Sequence, residues 1–287
     1  LLSVAPASAR LDPAWSTQVA PFQIADNLYY VGSRDLAAYL VTTPAGNILI
    51  NANLATSPPQ IRASVEKLGF HWADTKVLLN GQAHFDHVAG AAEVIRETHA
   101  HNMVMDGDAE VVRSGGRKDF AFGMDGIKTY TPAPVDRVLH DGDNVTLGGV
   151  TLTAHKTAGH TRGSTTWTFR THIDRDPPQQ LRDVVIVGGI YPLSQYVLVN
   201  TPGRKASYPG IENDFRQTFV KLRALPCDIF LGSHGIYFGL LSKLSRMPAE
   251  GESVFIDPEG YLETVRDAQA VFEEVVAKQS GSKHGSS

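Results

Sequence analysis

From residue 21 onward the chain alternates between runs patterned as strands and runs patterned as helices. "LYYVG", "AAYLVTT" and "NILINAN" are rich in β-branched and aromatic residues and read as strands, parted by the turn-prone Ser33-Arg34-Asp35 and Pro44-Ala45-Gly46. "PPQIRASVEKLGF" opens on prolines and sets Ile61, Val65 and Leu68 at helical spacing. "KVLLN" is nearly all apolar, the pattern of a strand buried on both faces, and "AAEVIRETH" reads as a helix. The segment between them, "GQAHFDHVAG", therefore falls on a loop at the C-terminal end of a strand, a favoured place for ligand sites in α/β sheets. Further along, "VTLGGVTLTAH" predicts a hairpin turning at Gly148-Gly149. "STTWTF" and "DVVIVGG" read as strands, "NDFRQTFVKLRAL" as an amphipathic helix and "CDIFLGS" as another buried strand. In "EGYLETVRDAQAVFEEVVAK" the periodicity predicts a closing helix with Leu262, Val265, Ala268, Phe272 and Val275 on its buried face.

No repeat and no linker interrupts this alternation. It predicts one α/β domain over residues 21–279, an irregular arm over 1–20 and a flexible Gly/Ser-rich tail over 280–287. The chain's 287 residues can bury an extensive core, and 42% apolar against 20% charged residues with a net charge of −4 describes an ordinary globular protein. There is no Lys/Arg cluster to hold a phosphate backbone, which argues against nucleic acid. No apolar run approaches the roughly 18 residues a membrane span needs. The single cysteine, Cys227, reads as a core thiol in "LPCDIFLGS" and can build neither a disulfide nor a thiolate metal site. Ala7-Ser8-Ala9 has the pattern of a signal cleavage site, so export to the periplasm or beyond is expected; the plainer reading is a coil of small residues.

Chemistry concentrates in the loop that opens with Gln82. His84, Asp86 and His87 stand within four residues, a spacing suited to holding metal. Two further histidines occupy comparable positions: His160 in the Gly-flanked "TAGHTRGSTTW", and His234 directly after the buried strand in "CDIFLGSHGIYFG". A lone histidine is more often structural than a ligand, but three such loops can converge at one sheet edge. His71, His99, His101, His140, His155, His172 and His284 lack that context and read as surface or hydrogen-bonded residues.

"GQAHFDHVAG", "AGHTRGS" and "LGSHG", in this order and spacing, resemble the metallo-β-lactamase superfamily, from about Asn27 to the last helix. "GNILINANL", "HTRGSTTWTF" and "RALPCDIFLGSH" are similar to its subclass B3, and Gln82 to a minority variant with glutamine at the first ligand position. The resemblance implies a four-layer αββα sandwich with two zinc ions, one held by Gln82, His84 and His160, the other by Asp86, His87 and His234. It implies hydrolysis of penicillins, cephalosporins and carbapenems by a metal-bound hydroxide, in a monomer whose partner is a small molecule. Asp86 would orient the nucleophile or relay a proton, and Tyr196 would either face the developing oxyanion or line the groove. A neutral amide is a poorer zinc donor than imidazole, so the Gln82 site is expected to be the weaker; the alternative is that Gln82 turns away and leaves the site incomplete.

Three departures bear on function. Many superfamily hydrolases, such as lactonases and thioesterases, carry a metal-bridging aspartate after the strand that here ends in Gly188-Gly189, and this chain has none there. B3 enzymes often bind the antibiotic carboxylate through serines where this chain has Ile190 and Pro192, which leaves Ser194, Asn200 or Arg204-Lys205 as candidates. Asn51-Ala52-Asn53 stands where many relatives read Asp-Gly-Gly, so an acid behind the metals is neutral here. The main alternative is a lactonase or thioesterase of the same fold. Taken together, Gln82, Asn51 and Ile190 also leave open a binding protein with a degraded site. Ser280-Gly281-Ser282-Lys283 formally matches the serine β-lactamase S-x-x-K, but it lies in the tail without S-D-N or K-T-G partners.

Overall fold

The computed structural model describes residues 11–126, 128–174, 176–177 and 179–281. Ala7-Ser8-Ala9, His284 and the tail from Ser282 onward, with the lysine of the S-x-x-K match, lie outside the described residues.

Two sheets face each other. The first holds seven strands in sequence order: β1 Phe22–Ala25, β2 Leu28–Tyr30, β3 Tyr39–Thr43, β4 Gly46–Ile50, β5 Thr75–Leu79, β6 His101–Met105 and β7 Arg137–Leu139. Strands β1 to β4 meander antiparallel, and β4 to β7 run parallel. Parallel neighbours need a long crossover. Helix α1 (Pro58–Lys67) supplies it between β4 and β5; the one-turn α2 (Phe85–Val88) and α3 (Ala91–Thr98) supply it between β5 and β6. A short α4 (Ala109–Arg113) follows β6. The second sheet has the order β12-β11-β10-β9-β8, built from β8 Asn144–Leu147, β9 Val150–Lys156, β10 Thr165–Thr171, β11 Arg182–Val187 and β12 Ile229–Gly232. Helix α5 (Ile211–Ala224) crosses between the parallel β11 and β12, and α6 (Leu240–Glu250) and α7 (Pro258–Gln279) follow β12.

The period-two geometry of a strand sends alternate side chains to opposite faces of each sheet. In β4, Ile48 and Ile50 enter the core between the sheets, while Leu49 enters the core beneath α1 and α3 with Ile61, Val65 and Val94. Phe215, Phe219 and Phe272 from α5 and α7 cover the second sheet's outer face. The result is the αββα sandwich. In α7 the buried residues are Tyr261, Val265, Ala268 and Phe272. Leu262 is 40% exposed, a correction to the sequence reading. The sheet fixes the phase here: Tyr261 stacks edge-on against Phe230 of β12 and donates its hydroxyl to the Leu222 carbonyl, which turns the next position outward.

At one end the sheets are stitched directly. Trp167 of β10 donates its indole N–H to the Asn80 carbonyl, Thr165 N–H bonds to Gly81 O, and Ala37 N–H bonds to Ser233 O. All the loops carrying candidate ligands leave the sandwich at this end.

Candidate metal centre

Residues Gly81–His87 leave β5 at its C-terminal end. His84 caps α2, which places Asp86 and His87 in a single helical turn where the pattern alone predicts loop. The turn is braced from behind: Ala52 and Asn53 N–H groups both bond to the His87 carbonyl. Asn51 and Asn53 adopt left-handed backbone with φ of 68° and 55°, a conformation asparagine tolerates better than most residues. The Asn51 amide accepts from Gly81 N–H at 2.9 Å and donates to the Ala37 carbonyl at 3.1 Å. A carboxylate could not make the second bond. Asn51 therefore braces the start of the ligand loop, and the anionic groups behind the histidines come from elsewhere.

His84, His87, His160 and His234 converge in two pairs. His84 Nδ1 stands 3.1 Å from His160 Nε2, and His87 Nε2 stands 3.2 Å from His234 Nε2. Nitrogens bound to one tetrahedral zinc at 2.0–2.1 Å would lie about 3.3 Å apart. Asp86 joins the second pair, with Oδ2 at 3.2 Å from His87 Nε2 and 3.6 Å from His234 Nε2. These three residues form the one group of His, Cys or carboxylate side chains among the described residues with the spacing to hold a metal ion. The first pair lacks a third donor of those types. Gln82 is buried beside it in sequence, 1% exposed, and both its Oε1 and Nε2 lack a hydrogen-bond partner. Burying an amide without partners is costly, and a metal ligated through Oε1 would remove part of that cost. The donors are nitrogens and oxygens with no thiolate, a set that suits zinc.

Burial holds the imidazoles of the first pair neutral, the form that binds metal. His84 is pushed well below its ordinary value by desolvation and by His160, and His160 is pushed down to about 4 by desolvation. Burial opposes charge on Asp86 as well, but the neighbouring His87 and His234 outweigh it and hold the carboxyl well below the usual range. For His234, burial is outweighed by the carboxylates of Asp35 and Asp86, and the value rises to about 9.

Two carboxylates behind the ligands escape a reading based on motifs. Asp35, in a turn beside β3, accepts from His234 Nδ1 at 2.8 Å, Trp15 Nε1 at 3.2 Å and Ile236 N–H at 3.1 Å. A carboxylate behind a ligating histidine fixes its tautomer and orientation. The N-terminal arm thus takes part: Pro13–Trp15 forms a short 3-10 turn whose tryptophan reaches Asp35. Asp119, 5% exposed, lies 3.4 Å from His84 Nε2 on the side away from His160.

The first pair is also clamped from below. Asp108, just ahead of α4, accepts from Thr161 Oγ1 at 2.7 Å and Gly163 N–H at 2.8 Å, and from the Ala83 backbone. It ties the Gln82–His84 loop to the His160 loop. Tyr130 donates to the Ala83 carbonyl at 2.8 Å. Burial pushes Asp108 up to about 7, against hydrogen bonds that favour its charged form. In the unfolded chain it titrates at about 3.9. Between these values the folded state binds the extra proton, so this group's contribution to stability falls as pH rises through that window, by up to on the order of 4 kcal/mol. Asp108→Asn should flatten the pH dependence of the melting temperature between about pH 4 and 7. Equal slopes in the two proteins would contradict this account.

The remaining sequence candidates are placed as follows. Tyr196 is buried, and its hydroxyl donates to the His160 carbonyl at 2.6 Å, with His84 Nε2 at 3.5 Å. That hydroxyl has one proton, already committed, so in this arrangement Tyr196 holds the ligands and has none to offer an oxyanion. Ile190 is fully buried in the core. Ser194, Asn200, Arg204 and Lys205 are exposed, and the Asn200 side chain accepts from Ala206 N–H. The cations that act on the ligand cluster are Lys128, which disfavours charge on His84, and Arg162, which favours it on Asp119. At Gly189 a Cβ would sit 2.2 Å from His160 Cδ2, and His160 Nδ1 is held by the Tyr191 carbonyl at 2.6 Å. A side chain at Gly189 would therefore run into the His160 ring.

Two facing sheets with paired histidine loops at one end define a class of metal-dependent hydrolases. A family profile described as the metallo-β-lactamase superfamily matches residues 34–172. The FEZ-1 metallo-β-lactamase from Legionella gormanii is 43% identical, with a TM-score of 0.87 over 92% of this chain and 98% of that one. BJP-1, a subclass B3 metallo-β-lactamase of Bradyrhizobium japonicum, is 32% identical, with a TM-score of 0.85 over 94% and 98%. The class B3 di-zinc enzyme LRA-12 from an Alaskan soil metagenome is 37% identical, with a TM-score of 0.82 over 93% and 98%. The chain belongs to the metallo-β-lactamase superfamily and is an enzyme of that family, with B3-type β-lactamases among its structural neighbours.

Proposed function

We propose that the protein is a zinc-dependent hydrolase that opens the amide of β-lactam antibiotics, of the B3 type with glutamine at the first ligand position. The observation that carries this reading is the double pairing of ligands, His84 with His160 beside an unpartnered Gln82, and His87 with His234 and Asp86. Its support is the similarity to B3 enzymes over nearly the whole chain.

Gln82, His84 and His160 would hold one zinc; Asp86, His87 and His234 would hold the other. Bound zinc supplies a water of lowered pKa and a Lewis acid for the carbonyl. The chain's own residues supply position and charge. Asp35 keeps Nε2 of His234 turned to the site by binding Nδ1. Asp86, the carboxylate shared by both histidines of the second pair, can orient a nucleophilic water and pass its proton toward the leaving nitrogen. Gly188 and Gly189 after β11 offer no carboxylate to bridge two metals, which favours this reading over a lactonase or thioesterase. Export to the periplasm or outside the cell and a monomeric state belong to the same proposal; among the described residues no helix is long and apolar enough to cross a membrane.

β-Lactams carry a carboxylate, and Lys128, partly exposed over the Phe122 ring at 4.1 Å, is the cation we assign to it. Lys128→Ala should raise KM for penicillins about fivefold with kcat little changed, the effect of losing one partly solvated ion pair. A fall in kcat at constant KM would refute that assignment. The reaction itself is tested by a panel of penicillins, cephalosporins and carbapenems against lactones and thioesters. Far higher kcat/KM on a lactone or thioester would replace β-lactams as the substrate class.

A further inference from the structure

A metal pair in this site faces an uneven distribution of negative charge. The second ligand set contains the Asp86 carboxylate and is backed by Asp35. The first set, Gln82, His84 and His160, is neutral throughout. Its backing group at His160 is the Tyr191 carbonyl, also neutral. Outside the second set, the carboxylate that faces a ligand of the first is Asp119, behind His84.

We propose that Asp119 is a positioning residue that acts through His84 to supply the first metal site with the charge that Gln82 does not. The inference rests on the zinc reading above. His84 presents Nδ1 toward His160 and Nε2 toward Asp119 Oδ2 at 3.4 Å, so the ring lies between the carboxylate and the site. Both side chains are almost fully buried, at 3% and 5% exposure, where screening by solvent is weak. The other carboxylate oxygen is anchored by the N–H groups of Ala121 at 2.6 Å and Phe122 at 2.9 Å, so the group cannot swing away without unmaking its own turn.

The same contacts make Asp119 the hinge between the site and the segment that covers it. Phe122 meets the His84 ring edge-on with centroids 4.9 Å apart, and Phe120 packs against Tyr196 and Tyr208 at 5.1 and 4.9 Å. Residues 116–126 are thus docked against the first site through one carboxylate and the rings of Phe120 and Phe122. Linkage requires reciprocity: if docking of this segment strengthens metal binding, metal binding strengthens docking by the same factor.

The test uses the whole protein and zinc alone. Zinc affinities of both sites are measured by chelator competition in wild type, Asp119→Asn, Gln82→His and the double variant. Asparagine keeps an oxygen for the Ala121 and Phe122 amides while removing the charge, and the second site serves as an internal control for folding. Asp119→Asn should weaken the first site about 10- to 100-fold and leave the second within about twofold. In the Gln82→His background, where imidazole is the stronger donor, the loss should be smaller. Hydrogen exchange of residues 116–126 should slow when the first site fills in wild type, and respond less in Asp119→Asn. Unchanged first-site affinity in Asp119→Asn, or an equal loss at both sites, would overturn the inference while leaving the zinc hydrolase intact. Failure of the wild-type protein to bind zinc at all would overturn both.

Discussion

Asp86→Ala is expected to lower kcat/KM for any β-lactam by at least about a thousandfold, because on the zinc reading it would remove the only carboxylate from the proposed ligand set and weaken the hold on the metal that would activate water. The geometry makes this residue hard to replace. Asp86 Oδ2 faces ring nitrogens of both His87 and His234, and those two imidazoles, left without it, would meet a dication with no anionic ligand beside them. The fold should survive, since the main chain of this turn is held independently by Ala52, Asn53 and the capping His84. The variant should therefore keep its melting temperature in the metal-free state and bind less zinc at the second site. Wild-type turnover in Asp86→Ala would contradict the assignment.

Gly189→Ala should be nearly as damaging for a different reason. A methyl group 2.2 Å from His160 Cδ2 and 2.5 Å from Cγ cannot be absorbed by rotating the ring, because Nδ1 is bound to Tyr191 O and the Tyr196 hydroxyl holds the His160 carbonyl. Overpacking of this kind costs about 1–3 kcal/mol, and here relief of the clash moves a ligand. First-site zinc affinity and turnover should fall together, with a lower melting temperature. If Gly189→Ala binds two zinc ions as wild type does, His160 is not the third member of the first site.

The candidate metal centre was legible wherever its residues follow one another or follow a buried strand. His84, Asp86 and His87 declare themselves by spacing, and His160 and His234 by sitting where apolar runs end. Asp35 and Asp119 carry no such mark. Asp35 reads as one residue of a polar turn, and it meets His234 199 positions away only because β3 and β12 end side by side. Asp119 lies in the glycine-rich "SGGRKDFAFGMDG", which has no periodicity to place it. The fold was legible where patterns are long. Helix α6 was not, because Pro248 inside it reads as a breaker: it lacks the N–H for the Leu244 carbonyl and its ring crowds that carbonyl. Strands β1, β6 and β7 mix polar residues into short runs, "FQIA", "HNMVM" and "RVL", and do not stand out from their flanks. The glutamine at the first position was visible at once. Its burial without any hydrogen-bond partner, the feature that makes ligation the economical explanation, exists only in three dimensions.

The most direct test titrates zinc into metal-free wild-type protein while following hydrolysis of a penicillin and a carbapenem and counting bound ions. The account predicts no turnover without metal, turnover that rises as zinc binds, a second equivalent bound more weakly than the first, and full loss on adding a chelator. β-Lactam hydrolysis that persists without metal, or none with both sites filled, would contradict it.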